Sequence, residues 1–193
     1  LAQAEAALGF PIEIIAGREE ARLIYLGVAH TLPNPRTQQL VVDIGGGSTE
    51  FFIGRNIEPI ELESLYMGCV GFSLQHFPRG RIEKSGMKKA ELAASNEIER
   101  IARDFRRAGW KEAVASSGTA KALAAVLAAN GWADGEVTSD GLDRLRAQMI
   151  KAGDVDRLDS LGVRGDRAPI LPGGVAIMLA AFAELGLESV QVS

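Results

Sequence analysis

The run VVDIGGGSTEFF, Val41 to Phe52, gathers in one place the groups that phosphate chemistry asks for. An apolar, β-prone segment delivers Asp43 to its end, three glycines follow, and a second β-prone segment starts at once. Gly45, Gly46 and Gly47 lack Cβ atoms, so the backbone can take φ > 0 there and turn N–H groups onto an anion as a nest. Ser48 and Thr49 add hydroxyl donors. Asp43 can hold a divalent cation directly or through water, and Glu50 is a second carboxylate beyond the loop. The plain alternative is a flexible hairpin with Asp43 in the turn and Glu50 facing solvent. It leaves the triple glycine without a purpose, because glycines weaken a strand junction unless another group must come close. Neither common nucleotide fingerprint fits: GxxxxGK[ST] is absent, and a strand rather than a helix follows the glycines.

A second candidate is ASSGTAK, Ala115 to Lys121, where a strand runs into Gly118 and a helix begins near Thr119. Free N–H groups and the dipole at a helix start attract anions, with Ser117 and Thr119 as hydroxyl donors and Lys121 as a point charge. The same residues serve equally well as an N-cap with no ligand. In GREEARL, Glu19 and Glu20 complement a helix dipole; near a phosphate site, one of them can instead orient or deprotonate a water. LPGGVAIM, Leu171 to Met178, reads as close helix packing. Cys69 has apolar neighbours and no adjacent His, which makes it a buried small residue rather than a nucleophile. His30 and His76 lie far apart with no zinc spacing. Arg79, Arg81, Lys84, Lys88 and Lys89 form either a solvated loop and helix start or a track for a polyanion.

Helical and period-two patterns alternate, predicting one mixed α/β unit over residues 1–193. Helices are expected at Leu1–Leu8, Arg18–Ala29, Lys88–Arg107, Gly118–Asn130, Gly141–Lys151 and Pro169–Leu185. Strands are expected at Ile12–Ile15, Leu40–Asp43, Phe51–Ile53, Pro59–Tyr66, Glu112–Ala115 and Ser189–Val192, with those from Leu40 to Tyr66 forming a three-strand meander. Pro33 and Pro35 break the chain.

Hydrophobic residues make up 47% and charged residues 24%, which excludes disorder and collagen and suits a globular core. A net charge of −4 gives no global footprint for nucleic acid, and no apolar run reaches the length of a membrane span. A lone cysteine precludes an intrachain disulfide and points to a reducing, cytoplasmic setting. The chain opens with Leu in what reads as mid-helix, so a fragment of a longer protein is expected.

Taken together, IEIIAGREEARLIYLGV, VVDIGGGSTEFFIG, ESLYMGCVGF, ASSGTAKAL and LPGGVAIM resemble successive blocks of the exopolyphosphatase and guanosine pentaphosphate phosphohydrolase family, Ppx/GppA. The resemblance implies an actin-like ATPase (ribonuclease H-like) lobe, specifically the second lobe of a two-lobe phosphatase whose first lobe is absent. It implies Glu20 as the water-activating glutamate, with Glu19 only its neighbour. Asp43 and Glu50 would organise Mg²⁺ or the attacking water, Gly45 to Thr49 would hold the terminal phosphate, and Ser117, Gly118 and Thr119 would form the opposite phosphate loop. The implied reaction releases terminal orthophosphate from inorganic polyphosphate or from guanosine pentaphosphate (pppGpp). An ATP-binding switch of the same superfamily is the alternative from another class. The implied partners are the phosphate substrate, the first lobe and a second copy in a homodimer, with no nucleic acid and no membrane.

Overall fold

The computed structural model describes residues 1–29, 36–56 and 58–193, apart from the side chains of Arg18 and Ala29. His30, Pro33 and Pro35 therefore lie outside the described residues. Strands β1 (Gln39–Ile44) and β2 (Thr49–Arg55) are apolar on both faces, as expected of strands covered on both sides, and only Asp43 and Arg55 in them escape full burial. The more acidic β3 (Glu58–Leu65) pairs at the outer edge and stays half-buried. These three form the expected antiparallel meander. Parallel β4 (Glu112–Ser116) and β6 (Ser189–Val192) and antiparallel β5 (Glu136–Thr138) extend the sheet in the order β3-β2-β1-β4-β6-β5.

Seven α-helices are described: α1 (Ala2–Leu8), α2 (Gly17–Ala29), α3 (Cys69–His76), α4 (Lys84–Ala108), α5 (Gly118–Ala129), α6 (Ser139–Ala152) and α7 (Leu171–Leu185). On one face of the sheet, Leu40, Val42, Ile44, Phe51 and Ile53 join a large core with α4, α5 and α7. Helix α4 turns a stripe of Met87, Ala90, Ala94, Ile98, Ile101 and Phe105 inward at three- and four-residue spacing. Helix α7 is apolar all round and almost wholly buried. On the other face, among the described residues, α2 alone lays Ala21, Tyr25 and Val28 over Val41, Phe52 and Val114. None of the described helices is long and apolar enough to cross a membrane.

Three expectations are corrected. Ile12–Ile15 is not a strand: no strand pairs with it among the described residues, Ile14 and Ile15 are exposed, and Ile12 N–H donates to the Glu5 carboxylate instead. Helix α3 and strand β5 were not anticipated from the sequence. Helix α4 begins at Lys84, earlier than its apolar stripe implied. The LPGG glycines do serve packing: a Cβ on Gly173 would run into the Cys69 carbonyl, and one on Gly174 into the Thr119 side chain.

Candidate active site

The site is one register step beyond the apolar contact under α2. Opposite one another across the sheet stand Leu62, Phe52, Val41 and Val114; two residues on along each strand, on the same face, come Ser64, Glu50, Asp43 and Ser116. The polar row sits where β1 and β4 end, the edge at which parallel strands present ligand sites. Its two carboxylates are flanked by hydroxyls. Ser64 Oγ donates to Glu50 Oε1 at 2.9 Å, and Ser116 hydrogen-bonds Asp43.

Glu50 is buried, at 2% exposure, and Asp43 is half-buried. Burial raises the Asp43 pKa above the usual carboxylate range, opposed by the Ser116 hydrogen bond and reinforced by the charge of Glu20. Burial likewise raises that of Glu50, opposed by hydrogen bonds from Ser48 and Ser64 and reinforced by Glu20 and Asp43. Glu20, exposed on the first turn of α2, is thus within electrostatic reach of both. Its neighbour differs. Arg22 donates to Glu19 at 2.9 and 2.7 Å and lowers the Glu19 pKa, so Glu19 is already ion-paired. The charge of Glu20 disfavours the ionised forms of Asp43 and Glu50, and that of Asp43 the ionised form of Glu50, which marks a place that gains from a cation.

The glycine loop reaches its shape by a different route from the one its composition suggested. None of Gly45, Gly46 and Gly47 takes a positive φ. Glycine is needed for proximity: a Cβ on Gly68, just before α3, would overlap the Gly46 carbonyl. That approach lets the first amides of α3 use the loop, Cys69 N–H donating to Gly45 O at 2.9 Å and Val70 N–H to Gly46 O at 3.1 Å. Gly45 N–H closes the turn on Ser48 O at 2.9 Å. The amides of exposed Gly46 and Gly47 donate to nothing among the described residues. Ser48 is engaged with Glu50, and Thr49 is buried with its hydroxyl donating to the Met67 carbonyl at 2.6 Å. Thr49 therefore braces the loop from behind.

The second loop lies against the first. Thr119 Oγ1 donates to Ile44 O at 2.9 Å, tying the start of α5 to the end of β1. Ser117 caps α5 by accepting from Ala120 N–H at 3.2 Å, and it does so at φ 107°, a strained conformation for a residue with a side chain. Lys121 points to solvent. The cation at this helix start is one that motif reading missed. Arg167 lies over Gly118, close enough that a Cβ there would come within 2.6 Å of Nη2. A guanidinium at the positive end of a helix is opposed by the dipole, and an anion between them would satisfy both. The basic residues from Arg79 to Lys89 are all exposed and follow the far end of α3, away from the loop.

A model of the Ppx/GppA phosphatase family matches residues 1–193. The chain belongs to that family. Solved structures agree: a Ppx/GppA family member from Aquifex aeolicus superimposes with a TM-score of 0.80 at 24% identity, and an exopolyphosphatase from Cytophaga hutchinsonii with 0.81 at 21%. All of this chain is covered in both, but only 63% and 64% of those proteins. The likeness carries the fold, a Ppx/GppA lobe of the actin-like ATPase type. The chain spans a little under two thirds of these relatives' lengths.

Among the described residues, no three His, Cys, Asp or Glu side chains close on one point as a self-sufficient metal cage. The donor set suits Mg²⁺ in its usual protein setting, one or two carboxylates with water and substrate phosphate completing the shell. Asp43 and Glu50, adjacent across β1 and β2, are the residues that fit.

Proposed function

We propose that this chain supplies the carboxylate and loop side of a cytoplasmic phosphoanhydride hydrolase that releases terminal orthophosphate from inorganic polyphosphate, working across a cleft with a first lobe. The observation that carries this reading is the convergence of Glu20, Asp43 and Glu50 beside a loop with two free amides. Family membership supports it. The terminal phosphate would accept from the Gly46 and Gly47 N–H groups, and Arg167 with the start of α5 would hold phosphate oxygens from the other side. A water seated between Glu20 and Glu50 would attack in line: its oxygen bonds to the terminal phosphorus, its proton passes to Glu20, and the bridging P–O bond breaks with its electrons on the departing chain. Mg²⁺ held by Asp43 and Glu50 would neutralise phosphate oxygens. Positioning and charge carry most of such a reaction.

Orthophosphate release from long-chain polyphosphate by the full-length protein tests the reading. Glu20→Gln should lower turnover by about 10²- to 10⁴-fold, the usual contribution of a general base. Unchanged turnover removes Glu20 from the mechanism. Guanosine pentaphosphate would use the same residues, and competition between the two substrates separates them. Thermal stabilisation by Mg-ATP, with none by polyphosphate or pyrophosphate, would replace the hydrolase with a nucleotide switch.

A further inference from the structure

We propose that Ser64 is a positioning residue that fixes the Glu50 carboxylate and, with the same side chain, sets how closely the first turn of α2 sits over the sheet. Ser64 stands directly opposite Glu50 in the β2–β3 register and donates to its Oε1 at 2.9 Å. Glu50 is buried, so this hydroxyl, together with that of Ser48 on the loop side, decides how the carboxylate is turned toward Asp43. The other side of Ser64 meets α2. A Cβ on Gly17 would lie 3.1 Å from Ser64 Oγ and 3.3 Å from its Cβ, tighter than side chains normally pack. Gly17 has no positive φ, so glycine there answers to this contact and not to the backbone.

Gly17 opens the turn that carries Glu20 at i+3, on the same helical face. One serine thus touches the carboxylate of β2 and the helix start that brings the third carboxylate. The far end of α2 is anchored independently, by Tyr25 OH donating to Asn56 O at 2.9 Å. Helix α2 is pinned at both ends, and the pin nearest the chemistry is Ser64.

This proposal rests on the hydrolase reading, and the test keeps the two apart. In the full-length protein with saturating Mg²⁺, Ser64→Ala should lower kcat for orthophosphate release about 10- to 100-fold, the effect of losing one hydrogen bond to a charged group, with KM within twofold. Gly17→Ala keeps the hydroxyl but lifts the helix, and should lower kcat as well. The double variant should lose less than the two single losses combined, because the 3.1 Å contact with Oγ goes with the serine while the 3.3 Å contact with Cβ stays; residues in contact couple in this way and separate ones do not. Unchanged kcat in Ser64→Ala, a loss confined to KM, or additive losses in the double variant would overturn the proposal. The same cycle read by urea unfolding needs no activity. If the wild type releases orthophosphate from neither substrate, the hydrolase reading falls, while additivity in unfolding would separately remove the contact between Ser64 and α2.

Discussion

Helices α4, α5, α6 and α7 cover one face of the sheet and, among the described residues, α2 alone covers the other; the chemistry lies on the thinner side. Under α4, α5 and α7 the core is continuous from Leu40 to Val190, whereas α2 buries only Ala21, Tyr25, Val28, Val41, Phe52 and Val114. The division of labour is physical. Charged groups cannot be seated in the thick core without heavy desolvation, but at the edge of a thin one Glu20 and Asp43 keep access to water and buried Glu50 finds hydroxyl partners. Stability comes from one face, and the other tolerates carboxylates that oppose it.

The sharpest way to break this contrast is Phe105→Ala. Phe105 is 1% exposed and meets Phe51 edge-on at 6.3 Å between ring centroids in the thick core. Its truncation should cost about 3–5 kcal/mol in urea unfolding. A cost below about 1 kcal/mol would mean that the thick face does not carry the fold.

Glu50→Gln should act in the opposite direction. The Asp43 and Glu50 pKa values are raised on folding by burial, so ionising these groups at neutral pH works against the native state. A raised folded-state pKa gives stability that is complete below the unfolded value and lost as pH rises through the folded one. The variant should therefore melt higher than wild type at pH 7 while losing hydrolysis, and the gap in Tm should close as pH falls below the ordinary glutamate value of 4.5. A lower Tm for the variant at pH 7 would contradict the assignment of strain to this edge.

The smallest expected effect belongs to Tyr25→Phe on the thin face. It removes hydrogen bonds to the carbonyls of Asn56 and Glu58 but keeps the edge-on contact with Phe52, so about 1 kcal/mol should be lost. Equal losses from Tyr25→Phe and Phe105→Ala would erase the distinction between the faces.

The parts of this arrangement that were legible in the sequence are those encoded locally. DIGGGSTE announced its own loop, the meander followed from neighbouring apolar runs, and α4 from its stripe. The rest depends on contacts that no local pattern contains. Strand β5, Glu136–Thr138, exists because β6 pairs with it, and α3 begins after Gly68, an N-cap with no side chain to signal it. Ile12–Ile15 has strand composition but no partner among the described residues. Arg167 was passed over because it reaches Gly118 across a long separation in sequence. The hydroxyls of Thr49 and Thr119 looked like ligand donors, yet both are committed to backbone carbonyls. For the loop glycines, composition suggested a left-handed turn that the backbone does not take; the glycine that close approach demands is Gly68, whereas a Cβ on Gly46 or Gly47 would meet no tight contact.

The docking of α3 on the glycine loop has one last consequence. With the carbonyls of Gly45 and Gly46 already accepting from α3, the rim turns the unpaired amides of Gly46 and Gly47 to visitors, while the adjoining strand ends bring the carboxylates of Asp43 and Glu50. The edge is bipolar, with its two poles fixed in sequence. A lone phosphate would find one pole attractive and the other repellent, and so would a lone cation. On the proposed hydrolase reading, the guest that would satisfy both is a chelate carrying the two ions already joined, so affinity for each should climb steeply in the presence of the other.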